Sequence, residues 1–201
     1  MGLAVAFVAL GLAVRSGPTG FDTALVAAVQ AAATGLVRTV LDALTAVGQP
    51  IVWDPAVIAL GVVLAMCGRM RDGLQLVAWV AVAEVAAEIA KILFDRVRPE
   101  GIAVSDFITQ ASYPSGHVAR TVVTLGMLVL IGPSSTRSRW AGGLAVAAFS
   151  VLMGMARIES GEHWPTDVVG GLLLSGAVVS IAFAYRRLVP ASSRPVSSLR
   201  R

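Results

Sequence analysis

The sequence predicts an all-α membrane protein, a polytopic bundle of six transmembrane helices with an additional amphipathic helix at the membrane interface. Of the 201 residues, 56% are hydrophobic and only 14% are charged, whereas about a quarter of the residues in soluble domains are charged. The mean hydropathy is +0.79. One soluble core could not bury this apolar material, but a bilayer needs about 20 apolar residues per helix and accommodates several such runs.

Gly, Pro and Arg residues divide the apolar sequence into separate stretches. The first, residues 1–14, lacks the basic start and the small-residue cleavage site of a signal peptide, so we interpret it as a span whose completeness the sequence leaves open. Five further spans are predicted at residues 55–67, 74–94, 117–132, 140–157 and 165–185. Residues 1–189 then form one domain, and the Ser-, Pro- and Arg-rich residues 190–201 predict a disordered cytoplasmic tail.

Residues 23–46 have apolar positions at helical spacing but also carry Gln30, Arg38 and Asp42. Polar side chains are costly inside a bilayer, whereas a helix in the interface plane presents them to the headgroups. We therefore predict one amphipathic interfacial helix in this region.

The basic residues predict the orientation, since Lys and Arg are retained in cytoplasmic loops. One set of alternate connections contains Asp72 as its only acid and nine arginines: Arg69, Arg71, Arg137, Arg139, Arg186, Arg187, Arg194, Arg200 and Arg201. The connections around residues 22–54, 91–106 and 157–167 mix acids and bases. The first set is therefore predicted to lie inside and the second outside, with both termini cytoplasmic.

Charge and cysteine content exclude some classes of function. The formal charge of +4 arises from arginines in short stretches between apolar runs, unlike the basic, aromatic-containing groove of a nucleic-acid-binding protein. Cys67 is the single cysteine, which excludes an intrachain disulfide and a Cys-based metal cluster. The oligomeric state cannot be read from the sequence.

Three clusters of polar residues fall at the predicted outer ends of spans. In the first, Lys91 and Arg98 are seven residues apart, so both project from one face if the third span continues to Pro99. Together they could bind an anion. The alternative is that each cation only extends to the lipid headgroups.

The second cluster, Pro114-Ser115-Gly116-His117, precedes the fourth span. The backbone amides of the last three residues would be unpaired at a helix N-terminus, which favours anion binding. His117 could supply a proton near physiological pH. The alternative is an ordinary turn with a capping serine.

The third cluster contains Arg157, His163 and Asp167, with Pro165 placed to begin the sixth span. Asp167 lies about one turn after His163 and could accept its Nδ1 proton, leaving Nε2 free to attack. Arg157 offers a planar fork for phosphate oxygens. The alternative is a surface helix start with an incidental ion pair.

The order and spacing of these clusters resemble the three-part signature of the type 2 phosphatidic acid phosphatase (PAP2) family: Lys91-x6-Arg98-Pro99, Pro114-Ser115-Gly116-His117 and Arg157-x5-His163-x3-Asp167. The motifs cover residues 91–167, and the six-span architecture extends the resemblance over most of the chain.

The resemblance implies five phosphate-binding residues, Lys91, Arg98, Ser115, Gly116 and Arg157. It also implies that His117 is the general acid, that His163 is the nucleophile and that Asp167 is its carboxylate partner. One position departs from the family pattern, since Ala156 replaces the serine that usually precedes the motif arginine.

Other polar and aromatic residues are predicted to have structural roles. Glu84, Glu88, Lys91 and Asp95 share one side of the third span, and we expect an internal network that includes Arg120. Trp53, Trp140 and Trp164 are expected in an interfacial belt. Four residues are expected at a solvated rim: Arg96, Asp106, Glu159 and Glu162.

The predicted activity is hydrolysis of a lipid phosphate through a phosphohistidine, without metal or cofactor. Polyprenyl diphosphate, phosphatidylglycerol phosphate and phosphatidic acid all suit a site at the outer interface. A lipid phosphotransferase would use the same residues, and a non-catalytic lipid transporter or scaffold could retain the phosphate site. The motifs also resemble the phosphate-binding residues of vanadium haloperoxidases. The predicted transmembrane spans argue against a haloperoxidase here.

Overall fold

The computed structural model describes residues 1–99, 110–132 and 135–189. All regular secondary structure in these three stretches is helical. The helices are α1 (Gly2–Val14), α2 (Gly20–Ala32), α3 (Gly35–Val47), α4 (Pro50–Met66), α5 (Met70–Phe94), α6 (Gly116–Ile131), α7 (Thr136–Glu159) and α8 (Pro165–Leu188). Asp106 and the predicted tail at 190–201 lie outside the described residues.

Helix α6 is central in the bundle and packs against α5, α7 and α8, while α4 packs on α5 and α1 on α8. The core includes Leu76, Val123 and Met127, which are fully buried. Helices α4 and α5 cross with their backbones in contact. A Cβ added to Gly73 would lie 2.2 Å from the carbonyl oxygen of Gly61, so only glycine permits this crossing.

The termini of two helices differ from the predicted bounds. Helix α4 begins at Pro50, the favoured first helical position for proline, and Pro55 lies inside the helix. Helix α5 begins at Met70 instead of residue 74 and ends at Phe94, as predicted, because Asp95 adopts a left-handed conformation with φ of 44°. Lys91 and Arg98 would share one helical face only if this helix continued to Pro99, and it does not, since Arg98 follows the helix.

The prediction of one continuous helix over residues 23–46 is wrong. Two helices, α2 and α3, form this region and meet at an angle of 118°. The bend lies at Thr34 and Gly35, and Gly35 has a φ of +51°, which disfavours residues with a Cβ.

Apolar side chains cover the outer surface of the bundle. Ile58 and Val62 of α4, and Val85 and Ile89 of α5, are each more than half exposed. Within the described residues, α7 and α8 are each long and apolar enough to cross a membrane, and the bent pair α2 and α3 qualifies together as a third candidate. Such extensive apolar exposure requires a lipid environment, and the protein is a membrane protein.

Candidate active site

One cavity of about 240 Å³ lies where α5, α6 and the start of α8 meet. Each motif contributes at least one residue to its lining: Lys91 from α5, Gly116 and His117 from α6, and His163 before α8. The remaining polar lining residues are Asp54, Glu84, Glu88 and Arg120. Each of the three sequence clusters therefore contributes to a single space, but four predicted site residues are not among those that line it: Arg98, Ser115, Arg157 and Asp167.

Ser115 precedes α6 and is fully buried. Its backbone amide donates to the carbonyl oxygen of Asp167 at 3.0 Å, which joins the second motif to the third. Its hydroxyl makes no capping hydrogen bond, and no partner for Oγ occurs among the described residues. The interpretation of Ser115 as an ordinary capping serine is therefore not supported.

Packing against α8 fixes the loop that leads into α6. Tyr113 is fully buried, and its hydroxyl donates to the carbonyl oxygen of Phe7 at 2.7 Å. Gly170 and Gly171 leave the necessary space. A Cβ at Gly170 would lie 2.4 Å from the Tyr113 ring, and one at Gly171 would lie 2.8 Å from the Ser115 carbonyl oxygen.

His117 occupies the first turn of α6 and is only 6% exposed. Its ring lies against the backbone of Gly48, where an added Cβ would be 2.8 Å from Cδ2. The Nε2 atom is buried, and the part of the chain that the structure describes provides no hydrogen-bond partner for it. A buried polar atom beside a cavity favours interaction with a ligand in that cavity.

His163 lies in the turn between α7 and α8, where its backbone amide donates to the carbonyl oxygen of Arg157 at 3.2 Å. Its Nδ1 is 3.6 Å from Oδ2 of Asp167, which is fully buried behind it. The same Oδ2 accepts the Trp164 amide at 2.8 Å, so Asp167 also caps the start of α8.

The three predicted phosphate-binding cations are all buried, with different partners. Lys91 Nζ contacts Glu88 Oε1 at 2.7 Å. Arg157 forms an ion pair with Glu162. The Arg98 guanidinium donates to three backbone carbonyl oxygens, those of Gln110, Ala111 and Glu162, at 3.0, 3.2 and 2.9 Å. In this structure Arg98 therefore connects the loops that precede α6 and α8.

Two of the predicted rim residues are buried instead. Arg96 is fully buried, and Glu159 is 3% exposed and pairs with Arg38 at 2.8 Å. The sequence predicts Trp164 in the interfacial belt, but it is 8% exposed and its indole donates to the Val97 carbonyl oxygen at 2.8 Å. These predictions are wrong because each side chain has a tertiary partner that its own neighbourhood in the sequence does not reveal.

The predicted network around α5 is present in part: Glu84, Glu88, Lys91 and Arg120 form ion pairs, whereas Asp95 follows the helix and is exposed. Glu84 contacts Arg120 in an ion pair, and Asp54 lies 3.2 Å from the same guanidinium. Trp53 is half-buried and donates to the Thr124 hydroxyl at 3.0 Å. Trp140 is 73% exposed, as a residue at a membrane surface would be.

Sequence reasoning did not identify Asp22 and Thr166, which contact each other and the buried Arg96 beside Asp167. The sequence does contain one pattern that involves Asp22. Thr19 and Asp22 have the spacing of a capping box, and the structure contains its reciprocal hydrogen bonds. That pattern predicts a helix start, but it does not predict contact with the third motif.

Comparisons with known proteins agree with the motifs. An undecaprenyl-diphosphatase from Sulfolobus acidocaldarius is 31% identical over 132 residues, covering 63% of this chain and 60% of that protein. A lipid A 1-phosphatase from Porphyromonas gingivalis is 37% identical over 93 residues, 45% of this chain and 17% of that protein. The chain thus matches less than two thirds of the length of either relative.

Two crystal structures have a similar fold. The first transmembrane PAP2-type phosphatidylglycerolphosphate phosphatase from Bacillus subtilis has a TM-score of 0.76 and 22% identity, covering 96% of this chain and 98% of that one. Aquifex aeolicus LpxE has a TM-score of 0.60 and 21% identity, covering 83% and 97%. The sequence model of the PAP2 superfamily matches residues 72–189, more than half of the chain. The protein therefore belongs to the PAP2 superfamily.

Proposed function

We propose that this protein is a membrane-embedded lipid phosphatase that removes phosphate from a lipid headgroup through a phosphohistidine intermediate. One observation carries the proposal. His117 and His163 line the same cavity as Lys91 and Gly116, and Asp167 lies directly behind His163. This arrangement supplies a nucleophile, a proton donor and positive charge around one space that accommodates a phosphoryl group.

In the first step, Nε2 of His163 attacks the phosphorus in line with the leaving oxygen. The N–P bond forms while the P–O bond to the lipid breaks. His117 donates a proton to the departing oxygen, which leaves as an alcohol or, from a diphosphate, as a lipid monophosphate. Asp167 accepts a hydrogen bond from the protonated Nδ1 of His163 and thereby keeps Nε2 unprotonated and aimed at the cavity.

In the second step, water attacks the phosphohistidine and His117 accepts its proton. The N–P bond breaks and inorganic phosphate is released. Lys91, Arg98 and Arg157, together with Ser115 and the amide of Gly116, stabilise charge on the phosphoryl oxygens. The steps use only side chains and water, so we propose that the reaction needs no metal and no cofactor.

The cavity size supports a substrate of which only the headgroup enters. Pockets that enclose drug-sized ligands are about 300–1,000 Å³, and the cavity here is about 240 Å³. The hydrocarbon tail would remain in the bilayer. The names of the relatives, an undecaprenyl-diphosphatase and a lipid A 1-phosphatase, support a lipid phosphate of this type. Polyprenyl diphosphate, phosphatidylglycerol phosphate and phosphatidic acid are the candidate substrates.

We propose six transmembrane helices, α1 and α4 to α8, with the bent pair α2 and α3 at the interface and one catalytic domain over residues 1–189. Helix α5 has 25 residues, enough to span, and it turns its charged side chains towards the interior: Glu84 is 26% and Lys91 5% exposed. Helices α1, α4 and α6 are shorter but apolar.

The charge distribution supports an active site on the outer face, with both termini and residues 190–201 inside. Asp72 at the start of α5 pairs with Arg69 and Arg186, each at 2.9 Å. This cluster lies at the opposite ends of α5 and α8 from Lys91 and His163. Since arginine-rich ends remain cytoplasmic, the cavity opens on the other face.

Phosphate release from purified protein in detergent tests the proposal. Polyprenyl diphosphate, phosphatidylglycerol phosphate and phosphatidic acid are supplied separately, and inorganic phosphate is measured for the wild type and for His163→Ala. We expect release from at least one lipid by the wild type and none by the variant. Equal release by the two proteins contradicts the mechanism, and transfer of phosphate to an added lipid without release identifies a phosphotransferase.

A further inference from the structure

Arg96 forms a buried bridge between two carboxylates from distant parts of the chain. Its Nη1 donates to Oδ1 of Asp167 at 2.5 Å, and its Nη2 donates to Oδ2 of Asp22 at 2.8 Å. All three side chains are completely inaccessible to solvent. Arg96 lies between Lys91 and Arg98 in the first motif, but it does not line the cavity.

Asp22 is held in place from several directions. Its Oδ1 accepts the Thr166 amide at 2.9 Å, and its Oδ2 accepts the Thr19 amide at the same distance. Burial alone raises the pKa of Asp22, but hydrogen bonds from Thr19, Thr166 and Arg96 outweigh burial and hold this pKa below its ordinary value. Asp22 is therefore ionised at neutral pH.

The charges of the bridge fit the proposed chemistry. Asp22 and Asp167 contribute two negative charges and Arg96 one positive charge, so one negative charge remains beside His163. The His163 ring gains positive charge when Nε2 attacks phosphorus, and this remaining charge stabilises it. Without Arg96, two buried carboxylates would lose the cation that they share, which is unfavourable.

The bridge also fixes the orientation of Asp167. Oδ1 is bound by Arg96 and Oδ2 by the Trp164 amide, so the carboxylate cannot rotate without losing a hydrogen bond. Oδ2 is the oxygen that faces Nδ1 of His163. Arg96 therefore determines which carboxylate oxygen is presented to the nucleophile.

We propose that Arg96 and Asp22 are positioning residues for the reaction, acting through Asp167 to orient His163. This inference depends on the proposed roles of His163 and Asp167. Asp22 belongs to α2, the first helix of the bent interfacial pair. The inference therefore connects this helix to the active site. Arg96 and Asp22 touch neither the cavity nor the reacting atoms.

A double-mutant cycle tests whether Arg96 acts through Asp167. We expect Arg96→Gln to lower kcat by about 10²-fold, the size of effect that a small misplacement of a reacting group produces. KM should change by less than about threefold, since phosphate contacts remain. When Arg96→Gln is added to Asp167→Asn, kcat should fall by less than about threefold below that of Asp167→Asn alone. The further loss is small because the group that Arg96 positions is already impaired.

Two conservative variants address folding. Arg96→Lys retains the charge and should recover part of the lost kcat, and Asp22→Asn retains the size of the side chain while lowering kcat by about tenfold. Asp22→Asn can replace Arg96→Gln in the cycle if the latter does not fold. Arg38→Gln is the matched control, since it breaks another ion pair from this interfacial region, to Glu159 at 2.8 Å, and should leave kcat unchanged.

The outcomes separate this inference from the proposed function. If His163→Ala is inactive but the losses from Arg96→Gln and Asp167→Asn multiply, the bridge is structural and only the positioning role is wrong. Wild-type kcat in folded Arg96→Gln also overturns it. If His163→Ala retains activity, the proposed mechanism fails regardless of the cycle.

Discussion

Nδ1 of His163 lies 3.6 Å from Oδ2 of Asp167, one turn away across the start of α8. This separation is longer than a hydrogen bond, and Oδ2 already accepts the Trp164 amide. Contacts of this kind often tighten only when substrate is bound. The carboxylate is held on one oxygen by Arg96 and on the other by the Trp164 amide, so we expect the His163 ring to be the group that completes the contact.

Replacing Asp167 by asparagine should reduce activity without abolishing it. The substitution keeps the size of the side chain, but an amide no longer enforces the tautomer that leaves Nε2 of His163 unprotonated. We expect kcat to fall by about 10²- to 10⁴-fold, while His163→Ala has no measurable activity. Steady-state kinetics of both variants on the same lipid check this order, and equal activity of Asp167→Asn and the wild type would contradict it.

A methyl group at Gly116 should impair substrate binding without impairing folding. Among the described residues, an added Cβ would meet only Lys91 Nζ, at 3.9 Å, so we expect the free protein to tolerate it, but the methyl group would occupy space beside the amides that are proposed to bind phosphate. We expect Gly116→Ala to raise KM by at least about tenfold, since one misplaced methylene costs on the order of 1–3 kcal/mol.

Gly143→Ala is the matched control for this measurement. Gly143 also lies in a helix, and a Cβ there meets no atom of the described part of the chain within 4 Å. Its KM should equal that of the wild type. An unchanged KM for Gly116→Ala would show that phosphate does not approach this part of α6.

Vanadate should inhibit the enzyme, whereas chelation should have no effect. In the proposed mechanism the phosphoryl group is bound by cations and backbone amides, so activity should persist in excess EDTA. Vanadate adopts a five-coordinate geometry like that of the transferring phosphoryl group and should inhibit competitively. Loss of turnover in EDTA that a divalent ion restores would show that the proposed chemistry is incomplete.

Cys67 provides a test of membrane orientation. It is exposed at the C-terminus of α4, next to Arg69 and Arg71, and should face the cytoplasm. A membrane-impermeant maleimide added to intact cells should not label it until the membrane is permeabilised. Labelling of intact cells would place this end outside and the active site inside.

Local patterns in the sequence predict much of the bundle. The long apolar runs predict α7 and α8, because hydrophobicity and helix breakers are properties of neighbouring residues. The bend between α2 and α3 is not predicted, although Gly35 marks it. A single glycine often occurs inside helices, so it predicts a break only weakly.

The buried charges are harder to predict than the helices. Arg96 is expected at the rim, but it is buried with its partners Asp22 and Asp167, which are 74 and 71 residues away in the sequence. Arg98 is expected to bind phosphate, yet in the structure its guanidinium donates hydrogen bonds to backbone carbonyl oxygens of two loops. Such contacts depend on tertiary structure, which motif spacing does not encode.

The two histidines should respond differently to the leaving group. A general acid is needed when the departing oxygen is strongly basic, as in a lipid alkoxide, and is worth about 10²- to 10⁴-fold. A nitrophenolate leaves without a proton. His117→Ala should therefore lose most of its activity on the lipid and retain a measurable part on nitrophenyl phosphate, whereas His163→Ala should be inactive on both.

The roles of the two histidines are tested by the ratio of lipid to nitrophenyl phosphate turnover, measured near the wild-type pH optimum for both variants. We expect a ratio far below that of the wild type for His117→Ala and no turnover of either substrate for His163→Ala. If His117→Ala is inactive on both substrates and His163→Ala still hydrolyses nitrophenyl phosphate, the roles of the two histidines are reversed and the mechanism is wrong.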